Sequence, residues 1–263
     1  MILQDNLSIR LCPDGFSFYT YNVLEEDSFC RENVEIAPGA DFNARLQELV
    51  FAHPRLLADY QECHCSVVTT RFTVVPPECD EAESEKMFHL VCGTADEPEQ
   101  LLHSHEGGVH FVYALSEELH HFLTRTFQGL RFHLSLATLH NYFAEKCKEG
   151  NQAKMVAQMC SGDQQLLVYR KGRLQLANAY REQEPANMLY YLLNTWVQCG
   201  MDNGFDQLLL LGDKHILKEL TTQLTPIVRQ TMPAVFPTDF FRLGQGTLDA
   251  PWDVLLLSGC QAN

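Results

Sequence analysis

Apolar and polar positions alternate with period two near the start of the chain. Leu7, Ile9 and Leu11 form one run, Phe16, Phe18 and Thr20 a second, and Pro13-Asp14-Gly15 separates them. Successive side chains of a strand point to opposite faces, so the pattern predicts a hairpin closed by turn-favouring residues. The segment VEIAP extends it by a third strand. The period then lengthens: Phe42, Leu46, Leu49 and Val50 share one helical face, and Pro54 ends or kinks that helix. CHCSVVTTRFTVVPPE reads as strand up to Val75 and stops at Pro76-Pro77. DEAESEKMFHLVCG reads as a short acidic helix and TADEPEQLLHSHEGG as a loop. VHFVYAL is an apolar strand, and SEELHHFLTRTF a helix with Ser116 as N-cap and acids in its first turn. LRFHL and SLATLHNYFAEKC follow as strand and helix, the latter ended near Gly150.

A second round of the same pattern begins after the polar stretch KEGNQAK. Strands run up to the Ser161-Gly162-Asp163 turn, from Gln165 to Tyr169, and from Leu174 to Tyr180 beyond an Arg-Lys-Gly turn. PANMLYYLLNTWVQCG is a helix with Pro185 at its start and Gly200 at its end. FDQLLLLG is a buried strand, DKHILKELTTQL a helix capped by Asp213, AVFPTDFF a weak strand and APWDVLLLSG a last apolar element. Each half thus reads β-β-β-α-β-α-β-α, which argues for an internal duplication. FVYALSEELHHFL in the first half stands where LLLLGDKHILKEL stands in the second. On this reading residues 1–150 form the first half, with an insertion at 61–108 whose tail from Asp96 to Gly108 is its most mobile part, and residues 151–263 form the second. Meanders followed by βα crossovers imply α/β halves, each a mixed sheet with helices on both faces.

Composition narrows the function. The 263 residues carry a formal net charge of −15, which repels nucleic-acid phosphate and anionic lipid. No segment reaches the roughly 20 apolar residues needed to span a bilayer, and MILQDNLSIRL has no basic, apolar leader. A cytoplasmic protein without nucleic-acid partner or membrane insertion is expected. Ten cysteines lie scattered without framework spacing, as buried thiols of a reducing compartment do.

The opening LSIRLCPDGFSFYTY and the segment RFTVVPPECDEAESEKMF are similar to an uncharacterised family from Bacteroidales and relatives. Members of that family are described as having an actin-like ATPase fold and no assigned activity. The resemblance implies two ribonuclease-H-like halves arranged as in actin, sugar kinases and Hsp70. It also implies where phosphate chemistry would sit: an Asp two residues before the hairpin Gly of each half, and a Gly-Gly turn after the fourth strand of the second half. The hairpin glycines are Gly15 and Gly162, and the positions two before them hold Pro13 and Cys160, neither of which binds magnesium. Asp14 and Asp163 adjoin the glycines, as Asp does in many tight turns. At the adenosine turn Gly212 is present, but Asp213 replaces the second Gly; its charge repels phosphate and its position suits a helix cap.

Ten of the eleven histidines lie between His53 and His140. His103, His105 and His110, with Glu106, form a candidate metal site, although neighbours on one loop seldom supply converging ligands. No Walker-type loop, nucleophile elbow or dinucleotide fingerprint occurs. The leading expectation is a non-catalytic, degenerate actin-like protein that binds a protein partner and needs no cofactor. The alternatives are an ATPase or phosphotransferase with relocated acids at Asp14 and Asp163, and a metal-binding protein using the histidines.

Overall fold

Hairpin chemistry sets the first sheet. β1 (Asp5–Cys12) and β2 (Gly15–Asn22) pair antiparallel, with Cys12 opposite Gly15 across the turn. β3 (Cys30–Glu35) completes the meander. The chain continues through α1 (Phe42–Ala52), β4 (Glu62–Val67), β5 (Phe72–Val75), α2 (Glu81–Cys92), β6 (Glu99–Glu106), β7 (Val109–Ser116), α3 (Glu117–Thr126), β8 (Arg131–Leu134) and α4 (Ser135–Lys146). It then runs through β9 (Lys154–Cys160), β10 (Asp163–Arg170), β11 (Arg173–Tyr180), α5 (Pro185–Gln198), β12 (Gln207–Gly212), α6 (Lys214–Leu224) and β13 (Gln230–Pro233). Two 3₁₀ segments and α7 (Trp252–Leu257) close it. This computed structural model describes residues 5–13, 15–36, 41–160 and 162–259.

Two five-stranded sheets share one topology: β3-β2-β1-β4-β8 and β11-β10-β9-β12-β13. In each, three strands meander antiparallel and two more join parallel to the first. Helices cover both faces, so the central strands lose their polar side. All seven residues of β9 are buried, as are Asn6, Ser8 and Arg10 on the polar face of β1.

β5, β6 and β7 form a separate three-stranded sheet in the order β5-β7-β6. This corrects the expected correspondence of the halves. The counterpart of β12 is β4, parallel to β1, whereas VHFVYAL belongs to the small sheet. The misreading has a physical cause. One face of β7 packs Val112 and Ala114 under α2 with Phe88, and the other sends Phe111, Tyr113 and Leu115 into the main core. Burial on both faces removes alternation and mimics a central strand. β4 carries two cysteines and a histidine, and Val67 is its one branched aliphatic residue. It lies within the expected 61–108 insertion yet belongs to the main sheet, whereas β7 lies beyond it. Taking β5 to β7 and α2 out leaves the predicted β-β-β-α-β-α-β-α order in the first half.

The stretch expected as a loop at 96–108 contains β6, closed onto β7 by Gly107 and Gly108 at φ +54° and +77°. AVFPTDFF is not a strand: β13 precedes it and a 3₁₀ segment covers Thr238–Leu243.

The last helix of each half packs across to the other. α4 lies against β10 and β11, and α7 against β1 and β4. Trp252 at the start of α7 stacks on Phe143 of α4, with ring centroids 5.8 Å apart. Phe240, Leu243, Val254 and Leu255 cover Tyr19, Tyr21 and Phe29 of the first half. This exchange brings both hairpins and the N-termini of both helices to one place.

Candidate functional site

Arg10 lies on β1, two residues before the end of the strand, with its side chain buried between the halves. A guanidinium there must be matched by carboxylates, because an unpaired buried charge costs several kcal/mol. Two are present. Arg10 Nε donates to Asp253 Oδ1 and Oδ2 at 3.2 and 3.0 Å, and Nη2 to Asp163 Oδ2 at 3.1 Å. Nη1 reaches Cys12 Sγ at 2.8 Å. Asp163 opens β10 after the second hairpin turn, and Asp253 is in the first turn of α7, where a negative charge suits the helix dipole.

The remaining oxygens are also taken. Asp163 Oδ1 accepts from Gln165 Nε2 at 3.1 Å, and Gln165 is bonded to Ser135 Oγ at the start of α4. Asp253 accepts from Ser66 Oγ of β4 and, at 3.2 Å, from Gln158 Nε2 of β9. Thus β1, β4, β9, β10, α4 and α7 each contribute one or more groups to one buried network. Burial would lower the Arg10 pKa, but the two carboxylates hold it well above its ordinary value. Burial pushes the Asp163 carboxyl up against the pull of Arg10. Burial also opposes ionisation of Asp253, yet Arg10 and the Ser66 hydrogen bond outweigh it and hold that carboxyl below the usual range.

The network stands where the two hairpins face each other, which is where the phosphate groups of a nucleotide were expected. These residues do not fit a magnesium nucleotide. Each carboxylate oxygen of Asp163 and Asp253 already has a protein donor, and a guanidinium fills the space between them. Cys160 is buried, and burial with the neighbouring Asp163 charge raises its thiol pKa well above the ordinary value.

Among the expected residues, Asp163 is in the network, Gly162 forms its turn at φ +81°, and Gly15 is opposite Cys12. Asp14 lies outside the described residues. Gly212 and Asp213 have structural duties. A Cβ on Gly212 would lie 2.0 Å from Met159 O, so only glycine allows β12 this close to β9. Asp213 caps α6 through His215 N at 2.8 Å and donates its own N–H to Met159 O. Sequence reasoning missed Arg10, Ser66, Ser135, Gln158, Gln165 and Asp253. Arg10 carried a signal: a charge in the middle of a strand whose sheet has helices on both faces. Asp253 carried another, a lone acid in the run PWDVLLL.

A cavity of about 980 Å³ opens beside the first hairpin, at the carboxyl ends of β1 and β4. Ligands of open α/β sheets bind at such ends. Its lining includes Asp41, Glu97, Glu99, Glu117 and Glu118, against Arg71, which is paired with Glu99. That acidic lining repels phosphate.

The histidines gather on the β6–β7 hairpin. His103 Nδ1 lies 3.0 Å from His110 Nε2, and His105 stacks on His110 with centroids 4.0 Å apart and planes at 26°. Nearly parallel rings do not direct their lone pairs to a common point. Among the described residues no group of three or more His, Cys, Asp or Glu is placed to hold a metal ion. Nor is any helix among them long and apolar enough to cross a membrane.

The duplicated sheets and the exchanged helices define an actin-like ATPase fold of two ribonuclease-H-like halves. The chain aligns with a crystal structure from Bacteroides thetaiotaomicron, described as a protein with actin-like ATPase fold and unknown function. The TM-score is 0.79 at 22% identity, with 99% of this chain and 96% of that one covered. It also aligns with a chain of the PilM-PilN type IV pilus biogenesis complex, at TM-score 0.57 and 12% identity, covering 98% and 99%. No curated protein matches the chain. Residues 2–230 match the family described as "Protein of unknown function (DUF3822)", and the chain belongs to that family.

Proposed function

We propose that this protein is a non-catalytic member of the actin-like fold that serves in the cytoplasm as a protein-binding scaffold. The Arg10–Asp163–Asp253 network carries the reading: a guanidinium and two carboxylates with a protein donor on every oxygen occupy the gap between the hairpins. Hydrolysis of a nucleotide needs free oxygens there for magnesium and room for phosphate. The acidic cavity beside the first hairpin supports the same reading. So does the likeness to a chain of the PilM-PilN complex, a protein of this fold found in a protein assembly. The charge of −15 favours a protein partner over nucleic acid or anionic lipid.

The test couples two measurements. Cross-linking in the native cell followed by affinity capture is expected to recover one protein in near-stoichiometric amount. The purified chain is expected to show no magnesium-dependent ATP hydrolysis. A hydrolysis rate that requires magnesium and disappears in Asp163→Asn overturns the proposal and makes the protein an ATPase with a relocated acid.

A further inference from the structure

A second cavity, of about 710 Å³, has walls of an unusual kind. One wall is Thr70 to Val74, which includes most of β5, and the other is Leu174 to Asn178 of β11. Among the described residues each strand ends its sheet: β5 pairs only with β7, and β11 only with β10. Two unpaired strand edges therefore line a single groove. Residues of an antiparallel ladder turn their backbone N–H and C=O alternately toward and away from the neighbour. Ala114 N donates to Arg71 O at 3.1 Å, so Arg71 and Thr73 face β7 while Phe72 and Val74 turn their polar groups outward. The outward carbonyls have weak local partners. Phe72 O meets Cys92 Sγ at 3.5 Å, and Val74 O meets Thr73 Oγ1 at 3.5 Å.

We infer that this groove takes an extended segment of a partner protein as an added strand between β5 and β11. The inference rests on the scaffold reading and gives the partner its chemistry. Size supports it. Five residues of strand span about 17 Å, so 710 Å³ leaves a mean cross-section of about 40 Å². One strand fills roughly 48 Å², from ~4.8 Å between strands and ~10 Å between sheets. The two-sided wall also selects the occupant. A strand already paired in a folded sheet, such as one in a second copy of this chain, offers a single free edge. Only a linear segment offers both. Two residues of the lining keep an apolar shelf open in the groove: Val74 is 42% exposed and Val91 65%. Exposed apolar patches of this sort mark interaction surfaces. Alternate residues of the segment would rest on it, so the groove favours a segment with apolar residues at every second position.

The probe is a displayed library of random linear peptides, selected on the immobilised full chain and then remade as synthetic peptides for calorimetry. Val74→Pro deletes an outward N–H at an edge position, where proline is tolerated. Val91→Asp places a charge on the shelf at an exposed site and guards against misfolding of the proline variant. Selected peptides are expected to alternate apolar residues and to lose affinity by about tenfold or more in either variant. They are expected to bind no longer when N-methylated on alternate backbone nitrogens with side chains intact, and to cross-link to a photoreactive residue at Gln175. Failure to select any linear peptide overturns the inference, as does equal binding to wild type, Val74→Pro and Val91→Asp. A dimer lost in Val74→Pro also overturns it, in favour of a second copy. If cells yield the same captured partner with wild type and both variants, the groove assignment falls and the scaffold reading stands.

Discussion

Replacing Arg10 with Met keeps most of the apolar stem and removes the guanidinium. Asp163 and Asp253, 3% and 0% exposed, then face each other without a counter-charge. Breaking one side of a buried ion pair costs about 3–5 kcal/mol, because the remaining charge is neither solvated nor paired. In a chain of this size each kcal/mol moves the melting midpoint by roughly 2–4 °C, so a fall of roughly 6–20 °C is expected. Neutralising both carboxylates as well removes the stranded charges, and the penalty of leaving them buried and unpaired goes with them. The triple variant Arg10→Met, Asp163→Asn, Asp253→Asn is therefore expected to recover at least half of the loss. Urea unfolding at neutral pH measures both, with the slope of each curve checking that the unfolded states are comparable. Added salt should change neither result much, since buried pairs are poorly screened. A cost below about 1 kcal/mol for Arg10→Met, the level of a surface pair, would refute the reasoning. So would a triple variant no more stable than the single one.

Three further outcomes follow from particular residues. Gly212→Ala should cost at least about 2 kcal/mol, because its Cβ meets the Met159 carbonyl at 2.0 Å; denaturant unfolding checks this. Asp213→Ala should cost about 1 kcal/mol through loss of the α6 cap, with no change in any ligand binding. Burial and the neighbouring His64 lower the His133 pKa from its ordinary 6.5 to about 4. The unfolded chain then binds the proton more readily than the folded one, so stability present above pH 6.5 is lost as pH falls toward 4. Between pH 7 and 5 this one residue should cost about 1–2 kcal/mol. Urea midpoints at the two pH values should draw closer together in His133→Gln.

What the sequence made legible follows from how burial shapes pattern. Turn chemistry at Pro13-Asp14-Gly15 and Ser161-Gly162-Asp163, together with the β-β-β-α-β-α-β-α order, was enough for the fold class. The exchange of β4 and β7 was not visible, because β7 is apolar on both faces for reasons of the small sheet. The site was only half legible. Asp163 adjoins Gly162, a place that suits both turn chemistry and a relocated acid, and one strand does not reveal what packs against it. Arg10 and Asp253 are 243 positions apart, and only the crossing of α7 onto the first sheet brings them together. Gly212 and Asp213 drew attention as nucleotide-turn residues, and their duties are close strand packing and helix capping.

On the scaffold proposal the gap between the hairpins is filled by the protein's own charges and takes no nucleotide. Thermal unfolding with and without millimolar MgATP tests it most directly. A ligand at 100 times its dissociation constant adds about 2.7 kcal/mol, which for this chain is a rise of about 5 °C or more. The midpoint is expected to be indistinguishable from that in magnesium and matched salt alone. A rise of about 5 °C specific to adenine nucleotide, abolished by Asp163→Asn, would contradict it.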